Sequence, residues 1–161
     1  INLVFEPGDN IHTVYADPVR IQRIFSNLLS NAIKFTPPGG TVYFRAIERE
    51  IIGDKYLVTI QVKDTGTGMS EEFQEHMFEI FAQEENDTNT FNIGTGLGLS
   101  IVKNLVELMG GTIRCSSKLG VGTEFFVTMP FQLARNNRQK NVQYKRNCFG
   151  IIEYCLLKIM T

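Results

Sequence analysis

Apolar residues recur at helical spacing along the stretch that follows Asp17-Pro18, and this pattern predicts an amphipathic helix. Aspartate is a common N-cap. Proline is favoured at the first helical position, because the backbone N–H that it lacks would be unpaired there. Two prolines followed by two glycines at residues 37–40 predict where the helix ends. The periodic apolar positions are Ile21, Ile24, Phe25, Leu28, Leu29, Ala32 and Phe35.

Strand patterns follow the helix. Residues 41–48 and 56–62 alternate between the two faces of a strand, and a Gly-Asp turn lies between them. This arrangement predicts an antiparallel hairpin. Two further strands are expected at about 112–117 and 123–131, joined by a turn that contains two glycines.

Two shorter helices and one loop complete the predicted order. Ser70, followed by two glutamates, marks the start of a short helix, and another helix is expected from about Leu97 to Met109, where two glycines end it. Residues 82–96 are polar and aperiodic, which predicts a mobile loop. The order predicts an α+β fold, namely a two-layer α/β sandwich with helices on one face of a mixed, mostly antiparallel sheet.

The net charge of −1 over 161 residues conceals two different segments. Residues 1–131 carry 10 Lys/Arg and 16 Asp/Glu, whereas residues 132–161 carry 6 Lys/Arg and one Glu. We therefore predict one folded domain over residues 1–131 and a basic, then apolar, tail over residues 132–161 that is disordered or loosely attached. Nucleic acid is polyanionic and is bound by basic protein surfaces, so the acidic main segment argues against a nucleic-acid partner.

The sequence also bears on the compartment. Its three cysteines (Cys115, Cys148 and Cys155) show no metal-binding spacing and cannot all pair internally, which favours a reducing environment. The chain has neither a signal peptide nor an apolar run of about 18 residues, so we expect it not to span a membrane. We predict a cytoplasmic protein, or the cytoplasmic part of a membrane-bound receptor. Because it does not begin with Met, we expect a fragment of a longer protein.

Asn27, Asn31 and Lys34 fall on one stripe of the first predicted helix, at the border of its apolar face. An Asn carbonyl is a suitable oxygen ligand for Mg²⁺, and a lysine supplies a point charge for phosphate. The stripe is therefore a candidate polar-ligand site. An ordinary solvated helix face explains the same residues equally well.

Seven of the 14 glycines lie in three short motifs at residues 66–68, 94–98 and 120–122. Glycine permits close backbone approach and leaves amide N–H groups free for anions. Gly96 and Gly98 lead into a predicted helix N-terminus, which favours phosphate. Turns alone also use glycine, but three such motifs between defined elements are harder to explain in that way.

Asp64 ends a predicted strand and begins the first glycine motif. Its carboxylate could accept a hydrogen bond from an exocyclic amine such as that of adenine. An aspartate that simply caps the loop is the alternative.

Five motifs taken together closely resemble the ATP-binding catalytic domain of two-component sensor histidine kinases, within the superfamily that includes gyrase and Hsp90. They match the family's N box, first glycine box, F box, second glycine box and last glycine box, in that order. The resemblance covers about residues 1–131 and implies a Bergerat-type α/β sandwich. The motifs are NLLSNAIKFT (27–36), DTGTGM (64–69), FEIF (78–81), GTGLGLS (94–100) and GVGTEF (120–125).

The resemblance implies roles for residues at the nucleotide. Asn31 would ligate Mg²⁺ between the phosphates of ATP, with Asn27 and Lys34 near the phosphates as the other members of the catalytic set. Phe35 would lie beside the nucleotide. Asp64 would accept from the adenine amino group.

Further roles are implied around the base and at a flexible lid. Thr123 would assist Asp64 through water, while Gly66 and Gly68 would let the chain pass close to the base. Phe78 and Phe81 would anchor the start of the lid. Gly94, Gly96 and Gly98 would hinge the lid and cradle phosphate, and Thr95 and Leu97 between them would also belong to the cofactor-binding site.

One residue type favours a kinase over a hydrolase. ATPases of this superfamily generally have a glutamate general base one turn before the metal-binding Asn, and Asn27 stands there instead. An amide is not a base near neutral pH, so hydrolysis should be slow. Phosphoryl transfer depends mainly on positioning and charge stabilisation, which such a site can provide.

The resemblance also implies partners. The phosphoacceptor histidine would come from a dimerisation domain of the same protein, the full-length protein would be a homodimer, and a response-regulator receiver would then accept the phosphoryl group. His12 and His76 have other sequence contexts, and we interpret both as structural. The isolated chain is therefore expected not to autophosphorylate.

Two other functions are alternatives that the sequence leaves open. One is a degenerate module that binds nucleotide or a partner without phosphoryl transfer, and the other is an anti-sigma-type serine kinase. Residues 64–102 contain eight Asp/Glu and no Lys or Arg. We therefore expect ATP affinity to be modest and strongly dependent on Mg²⁺.

Overall fold

The computed structural model describes residues 1–6, 12–84 and 95–134, and the backbone of residues 145–147. The chain forms a seven-stranded sheet with three helices in this described part. The elements are β1 (Asn2–Glu6), β2 (Thr13–Tyr15), α1 (Pro18–Phe35), β3 (Thr41–Ile52), β4 (Lys55–Asp64), α2 (Glu71–His76), α3 (Gly98–Leu108), β5 (Thr112–Lys118), β6 (Gly122–Leu133) and β7 (Lys145–Asn147).

The sheet is mixed and mostly antiparallel, as predicted. Its order is β1-β3-β4-β6-β2-β7, and β5 also pairs with β6. Only the β1–β3 pair is parallel among the described strands. The edge of β6 that faces away from β4 pairs with β5 along residues 122–128 and with β2 at residues 132–133.

Helix α1 forms where its sequence predicts it. The Asp17 carboxylate accepts hydrogen bonds from the backbone N–H groups of Val19 and Arg20, at 3.0 and 3.2 Å, and so caps the helix. The helix ends at Phe35, before the Pro-Gly run. Six of the seven periodic apolar residues are buried, whereas Phe35 is exposed at the helix end.

The hydrophobic core lies between the helices and one face of the sheet. Helix α1 contacts α3, β3 and β4, and α3 contacts β5. Alternate residues of the two central strands face this layer, as the period of a strand requires. These core residues are Tyr56, Val58, Ile60 and Val62 of β4 and Phe125, Val127, Met129 and Phe131 of β6.

The structure differs from the sequence prediction in three strands. The predicted order was one helix, two strands, two helices and two strands. It did not include β1, β2 or β7. Strands β2 and β7 are each three residues long, too short to show alternation. Strand β1 pairs in parallel with β3, a contact distant along the chain that local periodicity does not reveal.

Part of the predicted tail is paired with the sheet. Strand β6 continues to Leu133, and the N–H groups of Leu133 and Ala134 donate to the carbonyls of Asp54 and Thr13 at 3.0 and 2.9 Å. Residues 145–147 pair with β2. The rest of the tail lies outside the described residues, and so does most of the predicted loop, residues 85–94. The division at residue 131 stays a prediction.

No helix in the described ranges is long and apolar enough to cross a membrane.

Leu28→Ala is expected to lower the free energy of unfolding by about 2–5 kcal/mol, because Leu28 is fully buried between α1 and the sheet and its truncation leaves a cavity. Leu108→Ala is the matched control, since that leucine is also helical but 66% exposed. Urea denaturation followed by circular dichroism measures both changes. Equal losses for the two variants would contradict this position of the core.

Candidate functional site

Asp64 is the last residue of β4, and it is buried with 6% of its surface exposed. Its Oδ1 atom accepts hydrogen bonds from the backbone N–H groups of Gly66 and Thr123, at 2.8 and 3.2 Å. Burial raises the pKa of Asp64 above its ordinary value of 3.8, although these two hydrogen bonds oppose the shift. The Oδ2 atom accepts no hydrogen bond from the described residues, so it remains available to a ligand.

The first glycine motif is held between the end of α1 and the β5–β6 turn. The Thr67 N–H donates to the Phe35 carbonyl at 3.1 Å, and the Gly120 N–H donates to the Thr67 carbonyl at 2.7 Å. At Gly66, an added Cβ would lie 2.4 Å from the Phe35 carbonyl oxygen. Gly68 has φ +68, and its Cβ would lie 2.1 Å from the Lys118 carbonyl oxygen. Only glycine fits these close backbone approaches.

Thr123 lies beside Asp64 on β6 and is buried. Its hydroxyl contacts the Ser117 hydroxyl at 2.9 Å, across the β5–β6 pair. Ser117 belongs to none of the five motifs. Its position could have been recognised, because it continues the alternation of Ile113 and Cys115 along β5.

Cys115 lies two residues before Ser117 and packs against the core. Burial raises the pKa of its thiol to about 12, and the nearby charge of Asp64 adds to the shift. The thiol is therefore protonated at neutral pH. Cys148 and Cys155 lie outside the described residues.

Helix α1 carries the predicted polar stripe, and all three of its side chains are half-buried. The Asn27 Nδ2 atom donates to the Arg23 carbonyl at 2.9 Å, which fixes the orientation of that amide. The Asn31 side chain makes no hydrogen bond with a described residue. The Lys34 ammonium lies 4.9 Å from the centre of the Phe35 ring.

The N-terminus of α3 lies next to this stripe. A Cβ built on Gly98 would be 3.6 Å from Asn27 Oδ1 and 4.0 Å from Asn31 Nδ2. The N-cap residue Leu97 has no side-chain hydrogen bond to the helix, and the first turn contains no acidic residue. The Ser100 hydroxyl donates to the Leu97 carbonyl instead, at 2.9 Å. The first backbone N–H groups of α3 are therefore left for an anion, beside two amides.

Backbone contacts join the F box to the second glycine motif. The Phe81 N–H donates to the Gly96 carbonyl at 3.0 Å. Both residues have positive φ angles, +66 for Phe81 and +67 for Gly96. A Cβ on Gly96 would lie 2.7 Å from the Cα atom of Phe81, so the two backbones touch.

The two F-box phenylalanines are placed differently. The Phe78 side chain is half-buried against the core, with the Lys103 ammonium 5.6 Å from the centre of its ring. The Phe81 side chain is 69% exposed, so its backbone rather than its ring makes the contact with Gly96. Thr95 follows the undescribed stretch directly, and Gly94 lies outside the described residues.

Taken together, these contacts form two adjoining regions of one candidate site. The first consists of the buried Asp64, Thr123 and the first glycine motif, and is called the base region after the role that the motif resemblance implies. The second consists of the α1 stripe and the α3 N-terminus, and is called the phosphate region on the same ground. Phe35 links them, because its carbonyl contacts the glycine motif and its ring contacts Lys34.

Comparison with known proteins shows the family to which the chain belongs. Residues 16–133 match the model of the family described as histidine kinase-, DNA gyrase B-, and HSP90-like ATPase. The autoinducer 2 sensor kinase/phosphatase LuxQ of Vibrio parahaemolyticus is 41% identical over 117 residues, which is 73% of this chain and 14% of that protein. The circadian input-output histidine kinase CikA of Synechococcus elongatus is 47% identical over 125 residues, which is 78% of this chain and 16% of that protein.

The fold is also similar to a solved structure. The crystal structure of full-length ShkA in complex with AMPPNP matches with a TM-score of 0.65 and 32% identity, over 83% of this chain and 26% of that chain. The chain thus spans only a small part of the length of these relatives. The resemblance inferred from the five motifs is confirmed: the chain belongs to the family of histidine kinase-, DNA gyrase B- and HSP90-like ATPases, with sensor histidine kinases among its relatives.

Proposed function

We propose that this domain binds ATP with Mg²⁺ and presents the γ-phosphate to a histidine on a dimerisation domain of the same protein, in two-component signal transduction. The observation that carries the proposal is the uncapped N-terminus of α3, which lies against Asn27 and Asn31 of the N box. A helix N-terminus beside amide side chains suits a bound phosphate chain. The family and the ShkA complex with AMPPNP support ATP as the nucleotide.

The base region suits adenine. Asp64 Oδ2 accepts no hydrogen bond from the described residues, so it can accept one from the exocyclic amino group, with Thr123 assisting through water. The close backbone approaches at Gly66 and Gly68 leave no side chain between the loop and the base. The exposed Phe35 ring provides an apolar surface beside the nucleotide.

The residues present also fit Mg²⁺. The described residues contain no cluster of His, Cys, Asp or Glu that could hold a metal by itself. Mg²⁺ usually takes only one or two protein oxygens and completes its shell with phosphates and waters. Asn31 can supply one amide oxygen, since no described residue binds its side chain. The ion would neutralise phosphate charge, while Lys34 and the α3 N–H groups orient the phosphates.

Asn27 favours transfer over hydrolysis. Its amide donates to the Arg23 carbonyl and has no basicity with which to activate water. The γ-phosphate can therefore persist until a stronger nucleophile reaches it.

The histidines of this chain are engaged elsewhere. The His12 ring packs edge-on against Tyr56 at 5.0 Å, and His76 Nδ1 contacts Glu79 Oε1 at 2.9 Å. Neither contact involves a residue of the site. The phosphoacceptor would therefore come from the remainder of the protein, as the small share of each relative that the chain spans also suggests. A receiver aspartate would accept the phosphoryl group next.

Asn31→Ala is expected to remove most of the Mg²⁺-dependent part of nucleotide affinity, a loss of roughly tenfold or more for one ion-coordinating oxygen. Calorimetric titration with AMPPNP, with and without Mg²⁺, measures it. Asn104→Ala, at an exposed position of α3, should leave affinity unchanged. Equal affinity of the unaltered domain in the two conditions would refute the assignment of Mg²⁺ to Asn31.

Asp64→Asn should raise the stability of the domain while it weakens ATP binding. Burial raises the pKa of Asp64, so the folded state binds its proton more tightly than the unfolded state does. Ionised Asp64 therefore destabilises the domain at neutral pH, and this cost fades as pH falls through the folded-state pKa towards 3.8. We expect the variant to be more stable at pH 7, with the gain shrinking at acidic pH.

The same variant should bind ATP about 10- to 100-fold more weakly, because an amide N–H can then oppose the adenine amino group. Urea denaturation between pH 4 and 8 and calorimetry measure the two effects. A variant that binds ATP normally would contradict the assignment of Asp64 to the base.

On this proposal, phosphoryl transfer requires a phosphoacceptor histidine from the dimerisation domain. Incubating the domain with radiolabelled ATP and a separately produced histidine-bearing helical hairpin from the same protein should give acid-labile phosphate on the hairpin. Asn31→Ala should abolish the label, and Asn104→Ala should keep it. Nucleotide binding without any label would favour the degenerate binding module, whereas acid-stable label on a protein serine would favour the serine kinase.

A further inference from the structure

We propose that Ser117 fixes the direction of the Thr123 hydroxyl, and that this makes the base region select a 6-amino purine over a 6-oxo purine. Ser117 is thus a positioning residue that acts through Thr123. The inference rests on the proposed adenine nucleotide at Asp64 and deepens it, since it concerns how the base is distinguished.

The hydrogen bonds of Ser117 determine which hydroxyl donates. The Met69 N–H donates to Ser117 Oγ at 2.9 Å, and Ser117 Oγ donates its proton to the Gly122 carbonyl at 3.0 Å. Neither direction can be reversed, because an amide N–H only donates and a carbonyl only accepts. The 2.9 Å contact between Ser117 Oγ and Thr123 Oγ1 by itself permits either direction. Because Ser117 places its single proton on the Gly122 carbonyl, we assign Thr123 as the donor in that contact.

The Thr123 oxygen consequently has only lone pairs left for a ligand. Thr123 is buried and lies next to Asp64, whose Oδ1 accepts from the Thr123 N–H. The Asp64 carboxylate is likewise an acceptor. Both side chains beside the base therefore present acceptors. A water that donates one proton to Thr123 Oγ1 and the other to Asp64 likewise has only lone pairs left for the base.

An acceptor-only surface distinguishes the two kinds of purine. The 6-amino group of adenine offers two N–H donors to these acceptors. The 6-oxo group of hypoxanthine offers only lone pairs, so it forms no hydrogen bond with them. Sites that leave buried polar groups unpaired reject the wrong ligand most strongly. Without Ser117 the Thr123 hydroxyl is free to rotate, and it can then donate to a 6-oxo group.

Ser117 also restrains the chain at Met69, so its loss could loosen the loop without any effect on hydrogen-bond direction. Gln74 separates the two effects, because its Nε2 donates to the carbonyls of Met69, Ser70 and Ser117 at 3.1, 3.1 and 3.2 Å and has no hydrogen bond to Thr123. Ser116 provides a second control, since it neighbours Ser117 along β5 but is exposed.

The test is the ratio of affinities for ATP and inosine triphosphate, measured by calorimetry with Mg²⁺. Ser117→Ala should narrow the ratio by about three- to tenfold, the equivalent of one neutral hydrogen bond. Ser117→Thr keeps the hydroxyl and should therefore show the same affinity ratio as the unaltered domain. Ser116→Ala should leave both affinities unchanged. Gln74→Leu can weaken both affinities but should keep their ratio.

The outcomes separate this inference from the proposed function. Failure of the unaltered domain to bind ATP would overturn both. A domain that prefers ATP, with a folded Ser117→Ala variant that keeps the full preference, would overturn only the role of Ser117. Where circular dichroism shows that Ser117→Ala does not fold, Thr123→Val replaces it. That variant removes the oriented oxygen and should narrow the ratio similarly, so an unchanged ratio would also overturn the inference.

Discussion

The structure of this site depends on one buried carboxylate. Transfer of Asp64 from water to the interior costs free energy, which the backbone N–H groups of Gly66 and Thr123 partly offset. Those donors belong to different parts of the chain, so the first glycine motif and β6 must both be held in place. The close backbone approaches at Gly66 and Gly68 hold the glycine motif against the end of α1 and the β5–β6 turn. The base region is therefore held together by contacts within the protein, and none of them needs a ligand.

The phosphate region is built on a different principle. It combines the polar side of α1 with the unpaired N–H groups of α3, and these two helices also share the hydrophobic core. Packing of the core thus sets the distance between the amides of Asn27 and Asn31 and the helix N-terminus. On the proposed function, backbone N–H groups, Mg²⁺ and Lys34 carry most of the phosphate charge. Residues 64–102 supply no other cation.

The sequence predicted those parts of the fold in which local pattern and tertiary structure agree. Helix α1 has a capping Asp, a helical period and a Pro-Gly stop, and the β3–β4 hairpin has alternation and a Gly-Asp turn. Strands β1 and β2 escaped prediction because their pairing partners are distant along the chain and their own patterns are short.

The candidate site shows the same division. The sequence predicts Asp64, Asn31 and the glycines as site residues, since each occupies a recognisable motif. The sequence did not reveal that Phe81 contacts Gly96 through its backbone, because no sequence pattern indicates a positive φ at a phenylalanine. Nor did it reveal the Ser117 hydrogen bonds, because the direction of a hydroxyl depends on all its neighbours at once.

The contact between Phe81 and Gly96 has an evolutionary consequence. It joins the two ends of the intervening stretch by a backbone hydrogen bond and a close approach, whatever residues lie between them. In general, the entropy of closing a segment between two fixed ends grows only with the logarithm of its length, and each doubling costs about 0.6 kcal/mol. Insertions, deletions and changes of charge there should therefore accumulate among homologues at little cost to folding. Selection can then adjust this segment to different nucleotides or partner domains while the sandwich beneath it stays the same.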